Sequence, residues 1–332
     1  MTQNAAEIPV HNLQRKAAIA AGAVKDHRGA VEVRAISGFD LNRTIFNTLE
    51  GALPRYVIQT RIAKEHAWSD ETRERVERDY AATQSARPLP PVSPGLLEFL
   101  VNECDFDVEH ADGSFLDHLY FCYEYTHMHL PGRSPLVMLL HSILGTGTNT
   151  FAMTSDKIPA LRELLDDFDW RHVEVFPSML RLLYGPTFRR ELWANRERLD
   201  SLEEITLHRV IDNAELRLSA DDLWVQLNYQ LIHLVDFLPV SNWSAHGNDT
   251  AFIVFRDLYR FLVETGKIEA SLGYSPATAG AAVVGEPRTL GARFVDWLPT
   301  GLSEKMAAKS VGQFSSRIGH SMDYRLRWSP KS

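Results

Sequence analysis

The sequence of residues 136–146 is LVMLLHSILGT. It is apolar on all sides except at His141 and Ser142, so a helix here would be buried all round instead of along one stripe. Burying an imidazole without hydrogen bonds costs on the order of 1–3 kcal/mol, so His141 needs a metal, an acid or another polar side chain as a partner. We predict a buried helix over Leu136 to Leu144 that stops at Gly145 and carries a polar site near its end.

A small, hydroxyl-rich loop follows this helix, with the sequence GTGTNT at residues 145–150. Its backbone N–H groups and hydroxyls can face a ligand, so Thr146 and Thr148 are candidate substrate contacts. No lysine follows the glycines, and the loop is therefore not of the Walker type.

A second histidine lies upstream on a predicted helix that starts near Ser114. Residues spaced three and four apart share one face of this helix: Phe115, His118, Cys122, Tyr125 and His129. We expect Cys122 to act as a small buried hydrophobe, and Tyr125 is a candidate substrate contact. His127 and His129 lie beside a Pro-Gly turn and are expected to face solvent.

The composition is that of an ordinary globular protein, with 332 residues, 45% apolar and 23% charged. The formal net charge of −8 argues against a general nucleic-acid binder. The charge does not argue against a small anionic substrate held in a local basic pocket. Arg189 and Arg190 could contact such a substrate, although a pair of this kind more often lies on a solvent-exposed helix face. Only Cys104 and Cys122 are present, which favours a cytoplasmic location. No apolar run reaches the roughly 18–20 residues of a membrane helix.

Proline and glycine clusters separate helical patterns along the chain, and we find no persuasive run of alternating strands. The sequence therefore predicts a mainly α protein in three parts. A helical N-terminal extension covers residues 1–90, a helical core covers 95–240, and 241–332 hold a helix, an irregular Gly/Ala/Pro-rich loop and a basic tail. Residues 303–332 carry six basic and two acidic side chains. This tail either folds back onto the acidic body or contacts a partner, including a second copy of the chain.

The spacing of the histidines resembles the HD superfamily of helical metal enzymes, in which a first His, a His-Asp dyad and a distant Asp bind a metal. His118 matches the first His, and His141 with Ser142 matches the dyad 23 residues later. More closely, residues 109–146 resemble an uncharacterised HD-like family with a His-Ser-x-x-Gly-Thr motif. The resemblance covers about residues 95–240 and implies an HD-like helical bundle, with His110 as a third ligand or a proton shuttle.

The chain departs from the superfamily at both carboxylates. Ser142 replaces the dyad Asp, and a neutral hydroxyl is a poorer ligand for a divalent ion; we expect it to hydrogen-bond a bound water or ligand. The distant Asp is expected on a helix over Ala220 to Phe237. There Asn228 is the candidate, either orienting substrate or ligating weakly. Asp222 and Asp236 are substitutes, although they are more typical of a helix cap and a surface charge.

The resemblance implies a metalloenzyme in which His118, His141 and His110 hold a divalent transition metal, Fe or Zn. The metal would activate water or dioxygen against a small polar or anionic metabolite, since both hydrolysis and oxygenation occur in the superfamily. Two alternatives stay open. One is a metal-free relative that uses the His118–His141 pair to bind or transform a small molecule. The other is a protein-interaction module that forms a homo-oligomer or binds another partner, with neither nucleic acid nor membrane involved.

Overall fold

The computed structural model describes residues 90–104, 115–147, 151–237, 250–272 and 299–330, together with Glu74 and Arg78. Within these residues 62% are helical, which confirms the mainly α fold class. The helices, numbered in chain order, are α1 (Pro94–Asn102), α2 (Phe115–His129), α3 (Leu136–Leu140), α4 (Ile158–Glu163), α5 (Asp167–Tyr184), α6 (Pro186–Ala194), α7 (Ala220–Phe237), α8 (Thr250–Glu264) and α9 (Thr300–Arg317), with 3₁₀ helices at Ser155–Lys157 and Arg196–Ser201. Most of the predicted N-terminal extension lies outside the described residues.

Four helices build the part of the core that holds the candidate site. α3 packs against α2 and α5, and α7 packs against the same two helices. α7 has the bounds that the sequence predicts because Ser219 caps it: the Ser219 hydroxyl accepts a hydrogen bond from the Asp222 N–H at 3.1 Å. Asp221 and Asp222 also place negative charge at the positive end of the helix dipole. The cap thus fixes where α7 enters the core.

α3 is shorter than the sequence predicts, since it ends at Leu140 and not at Leu144. The reason lies in the ring of His141, whose Nδ1–H donates to the Met138 carbonyl at 2.7 Å. In a longer α-helix that carbonyl would accept the backbone N–H of Ser142. The chain instead turns at residues 141–144, which leaves His141 buried at the end of the helix.

Gly145 closes this turn with a φ of 131°, a conformation that side chains disfavour. A Cβ there would lie 2.9 Å from Cγ1 of Val210 and 3.2 Å from the ring of Phe151.

We expect Gly145→Ala to lower the free energy of unfolding by about 2–4 kcal/mol through strain and crowding. Gly147→Ala is the matched control, because its Cβ would come no nearer than 3.9 Å to Leu180, and we expect a change within about 1 kcal/mol. Denaturant unfolding measures the free energy of unfolding of both variants. Equal losses of stability in Gly145→Ala and Gly147→Ala would contradict the requirement for glycine at position 145.

A three-stranded antiparallel sheet lies beside the helices, and the sequence analysis did not predict it. Its strand order is β2-β1-β3, formed by β1 (Leu202–His208), β2 (Glu215–Ser219) and β3 (Arg325–Trp328). β2 and β3 do alternate apolar and charged residues, but each contains only two such repeats, which is too few to identify a strand from sequence. Because Ile205 of β1 pairs with Leu326, the sheet depends on a contact between distant parts of the chain.

The C-terminal region is more regular than the sequence predicts. Residues 299–330 include α9 and β3, two elements that the sequence analysis did not predict. The predicted Gly/Ala/Pro-rich loop lies outside the described residues. Arg327 of β3 lies 3.4 Å from the carboxylate of Glu203 and 3.6 Å from that of Glu204. The basic tail therefore folds back onto the acidic body, which was one of the two alternatives. Within the described residues, no helix combines the length and apolar character needed to cross a membrane.

Candidate metal centre

Three buried histidines from separate elements meet in the core. His118 lies in the first turn of α2, His141 directly follows α3, and His233 lies near the end of α7. Their exposed fractions are 3%, 1% and 3%. The ring centroids lie 4.7–5.0 Å apart, and each pair of rings meets edge to face. We refer to these three side chains as the histidine cluster.

The hydrogen bonds of His141 fix its protonation. A carbonyl oxygen can only accept, so Nδ1, 2.7 Å from the Met138 carbonyl, carries the proton. In the neutral ring Nε2 then bears a lone pair. This Nε2 lies 3.0 Å from Nε2 of His118. A backbone carbonyl that holds one imidazole nitrogen while the other points to a ligand is the usual support of a metal-binding histidine.

The spacing of the nitrogens fits a metal ion. Nitrogen ligands about 2.0–2.1 Å from one ion lie roughly 2.9 Å apart at an octahedral angle and roughly 3.4 Å apart at a tetrahedral angle. The 3.0 Å separation of the two Nε2 atoms lies in this range. All three ligand nitrogens lie within 4.8 Å of one another, so the longest separation exceeds the tetrahedral spacing by up to about 1.4 Å, which a movement of the rings would have to close. In the described part of the chain, no other group of His, Cys, Asp or Glu side chains is this compact.

The electrostatic environment keeps two rings of the cluster, those of His141 and His233, neutral. Burial lowers the pKa of His141 well below its ordinary value, and the His118 ring lowers it further, while the bond to the Met138 carbonyl opposes the shift. The pKa of His233 is also lowered well below its ordinary value, first by burial and then by the His141 and His118 rings. Both rings are therefore neutral at pH 7, which is the form of imidazole that binds a metal.

The walls of the cluster are apolar or only weakly polar. The ring of Phe176 on α5 lies 4.8 Å from that of His141 and 5.3 Å from that of His233. Sγ of Cys122 lies 3.8 Å from Nδ1 of His118. Cys122 is fully buried, as the sequence predicts for a small hydrophobe. Such low-polarity surroundings strengthen the interaction between a cation and its ligands.

The predicted polar face of α2 is also buried at its far end, which contradicts one expectation. His129 was expected to face solvent, yet it is 3% exposed, and its ring lies 4.5 Å from that of Tyr125. The reason is a tertiary contact, because Ser271 donates its backbone N–H to the His129 carbonyl at 2.6 Å. Tyr125 is fully buried, and its predicted contact with substrate stays a prediction.

Asn228 has a structural role in place of the predicted catalytic one. Its Nδ2 donates to the carbonyls of Trp224 and Lys267, each at 2.9 Å. Its Oδ1 accepts the backbone N–H groups of Glu269 at 2.8 Å and Ala270 at 3.0 Å. These four bonds use the whole capacity of an amide side chain. Asn228 therefore anchors residues 267–270 to α7 and has no group left for a metal or substrate.

Asp222, one of the two substitute carboxylates, is not part of the histidine cluster. Asp222 lies in the first turn of α7, where its N–H donates to the Ser219 hydroxyl, and its carboxylate pairs with Arg171 at 3.1 Å. The interaction with His172, whose Nε2 lies 3.7 Å from the carboxylate, lowers the pKa of Asp222 to about 2, with further help from Ser219 and Arg171 and against the opposing effect of burial. The side chain of Asp236 lies outside the described part of the structure.

Of the remaining predicted site residues, two can be placed in the turn after α3. Ser142 is buried next to His141, and Thr146 is partly exposed. Arg181 is fully buried and donates to the Thr146 carbonyl from Nε at 3.2 Å and from Nη2 at 2.8 Å. Burial lowers the pKa of Arg181 only to about 10, so it keeps its charge at pH 7. His110 and Thr148 lie outside the described residues.

Sequence reasoning missed His233, although a signal for it was present. Residues 231–235 are Leu-Ile-His-Leu-Val, so His233 lies in an apolar run of the same kind as the one around His141. The requirement that a buried imidazole needs a partner applies to both equally. The HD superfamily has its distant Asp on this helix, so the resemblance pointed to oxygen ligands and away from the nitrogen ligand of His233.

The chain matches none of the known protein-family models, and no significant match occurs among the curated proteins or the solved structures. The HD-like resemblance thus stays a prediction from the sequence motifs.

Proposed function

We propose that this protein is an HD-like metalloenzyme in which His118, His141 and His233 hold a divalent transition metal, Zn or Fe. In this proposal His233 takes the place that the sequence analysis gave to His110. The observation that carries the proposal is the lone pair on Nε2 of His141, which faces Nε2 of His118 at 3.0 Å. Three imidazoles are a donor set that suits both metals, and such a set leaves a coordination position open.

When bound, the metal would supply a Lewis acid that activates water or dioxygen. The chain itself would hold the three imidazoles in place through the Met138 carbonyl and the wall formed by Phe176. The turn after α3 runs from the buried His141 to the partly exposed Thr146. We assign the hydroxyls of Ser142 and Thr146 to the substrate side of the site. The charge of Arg181, bonded to this turn, favours a polar or anionic metabolite.

A metal-free site is the second candidate, and the same 3.0 Å distance favours it. Nε2–H of His118 could donate to the Nε2 lone pair of His141 in an ordinary N–H···N hydrogen bond. The pair would then bind or transform a small molecule. In that pair His118 contacts the ring of His141, whose pKa is lowered by burial.

Elemental analysis separates the two candidates. The full chain is purified without a chelating tag, and its Zn, Fe, Mn, Co, Ni and Cu contents are measured per chain before and after reconstitution. We expect about one Zn or Fe per chain, with the identity of the metal favouring water activation for Zn or dioxygen chemistry for Fe. Less than about a tenth of a metal per chain, with no tight binding on reconstitution, would overturn the metal proposal.

A further measurement distinguishes a catalytic metal from a purely structural one. The protein is loaded with Co²⁺, and azide is added while the visible absorption of the metal is recorded. A catalytic site keeps an open position, so we expect the spectrum to change with saturation as azide binds. An unchanged spectrum would contradict a catalytic role, because a closed structural site has no position for the added ligand.

A further inference from the structure

A cavity of about 370 Å³ lies between α6, α8 and α9, and the histidine cluster contributes no residue to its lining. Its volume falls in the range of sites that bind small organic molecules. Four apolar side chains form part of its lining: Leu192, Ile253, Leu258 and Phe261. The cavity can therefore take up an apolar body of a ligand and remove it from water.

The charged lining of the cavity is mainly basic, although the whole chain has a net charge of −8. Four arginines line it, against the two carboxylates of Asp257 and Glu304. One of the four, Arg189, is enclosed: it pairs with Asp257 and with Glu304, each at 2.6 Å, and its side chain is 8% exposed. Arg189 thus ties α6 to α8 and α9, and is not available to a ligand.

Two other arginines are accessible. The side chains of Arg190 and Arg260 are 71% and 64% exposed. Arg190 donates to Glu304 at 3.2 Å through Nη2, and Arg260 donates to Glu264 at 2.6 Å through Nε. Each guanidinium has five N–H groups, so both keep donors beyond these bonds within the described residues. The guanidinium of Arg260 also lies 4.7 Å from the ring centroid of Trp193, a contact that steadies its orientation.

We propose that this cavity binds an organic anion, a carboxylate or phosphate monoester with an apolar body. The anionic head would be held by Arg190 and Arg260, because guanidinium groups match the geometry of both head groups. The apolar body would rest on Leu192, Ile253 and Phe261. The proposal does not depend on the histidine cluster, and a ligand here would serve as a second substrate or as an effector.

Isothermal titration calorimetry on the full chain tests this proposal with four probes. Octanoate and octyl phosphate carry both an anionic head and an apolar body, octanol has only the apolar chain, and inorganic phosphate has only the charge. We expect one site per chain for at least one of the two amphiphilic anions, with octanol and inorganic phosphate at least about tenfold weaker. The stronger of the two anions identifies the head group. Absence of binding by both anions at millimolar concentration would overturn the proposal, as would equal affinity for octanol.

Variants assign the binding to this cavity. We expect Arg190→Ala and Arg260→Ala each to weaken the preferred anion by about tenfold, which corresponds to the loss of one charge-assisted contact. Arg217→Ala is the matched control, since Arg217 on β2 is also 64% exposed and pairs with Glu215, and it should not change the affinity. Repeating the titration on His233→Gln tests whether the anion instead binds to a metal at the histidine cluster. Unchanged affinity in both cavity variants, or a loss that appears only in His233→Gln, would contradict the assignment.

Discussion

Replacing His233 with glutamine is expected to raise the dissociation constant for Zn²⁺ at least about a hundredfold. Mutating a residue that only hydrogen-bonds to a metal ligand already weakens metal affinity by about 10–100-fold. His233 would contribute a ligand nitrogen itself, so we expect its loss to have a larger effect. Glutamine keeps a neutral polar side chain of similar size, so the buried α7 position stays filled. Competition with a chromophoric chelator measures the affinity of the wild-type and variant proteins.

The control for this variant is His172→Gln. His172 is as buried as the cluster histidines, and its Nδ1–H donates to Oε1 of Gln226 at 3.0 Å, away from the cluster. We expect the control to bind Zn²⁺ as the wild type does, although it loses a buried hydrogen bond. If His172→Gln weakened Zn²⁺ as much as His233→Gln, the effect would be general loss of structure, and the role of His233 as a ligand would be wrong.

The second large effect is expected for Asn228→Asp, which should lower the free energy of unfolding by about 3–5 kcal/mol. The substitution removes the Nδ2–H donors to the Trp224 and Lys267 carbonyls and puts a negative charge at a fully buried position. Since Asn228 lies outside the histidine cluster, the Zn²⁺ stoichiometry should not change. Denaturant unfolding and Zn²⁺ titration test both statements.

Asn195→Asp is the matched control for this variant. Asn195 is only half-buried, and its Nδ2 makes one bond, to the Glu191 carbonyl. Its Oδ1 accepts from Arg198, which would favour a carboxylate there. We expect a change within about 1 kcal/mol. A stable Asn228→Asp protein with tighter Zn²⁺ binding would instead support the ligand role that the HD superfamily suggests for this helix.

Local patterns predicted those parts of the fold that local interactions determine. The bounds of α7 follow from the cap at Ser219 and from an apolar pattern of helical period, and both are visible in the sequence. The predicted end of α3 was wrong because the hydrogen bond from the His141 ring to the Met138 carbonyl takes the place of a backbone hydrogen bond of the helix. Helix propensities do not include such a side-chain bond. The sheet was missed because β3 is defined mainly by its pairing with β1, far away in the sequence.

The candidate site was predictable in part. His118 and His141 were identified from burial arguments and from the HD-like resemblance, and the structure brings them together. His233 was missed because the resemblance pointed to oxygen ligands on α7, although the apolar run around His233 is visible in the sequence. The burial of His129 was missed because it depends on a contact with Ser271, far away in the sequence. The Arg189–Arg190 pair shows the same limit: the two residues are neighbours in sequence, but Arg189 is enclosed by two carboxylates and Arg190 is exposed.

X-ray absorption at the metal edge of the loaded protein tests the central claim most directly, because it counts the ligand types around the ion. We expect three imidazole nitrogens at about 2.0–2.1 Å, with any further ligand a light atom from solvent. In the His233→Gln protein the imidazole count should fall. A sulfur ligand at about 2.3 Å, which would place Cys122 on the metal, or fewer than three imidazoles in the wild type, would contradict the three-histidine centre.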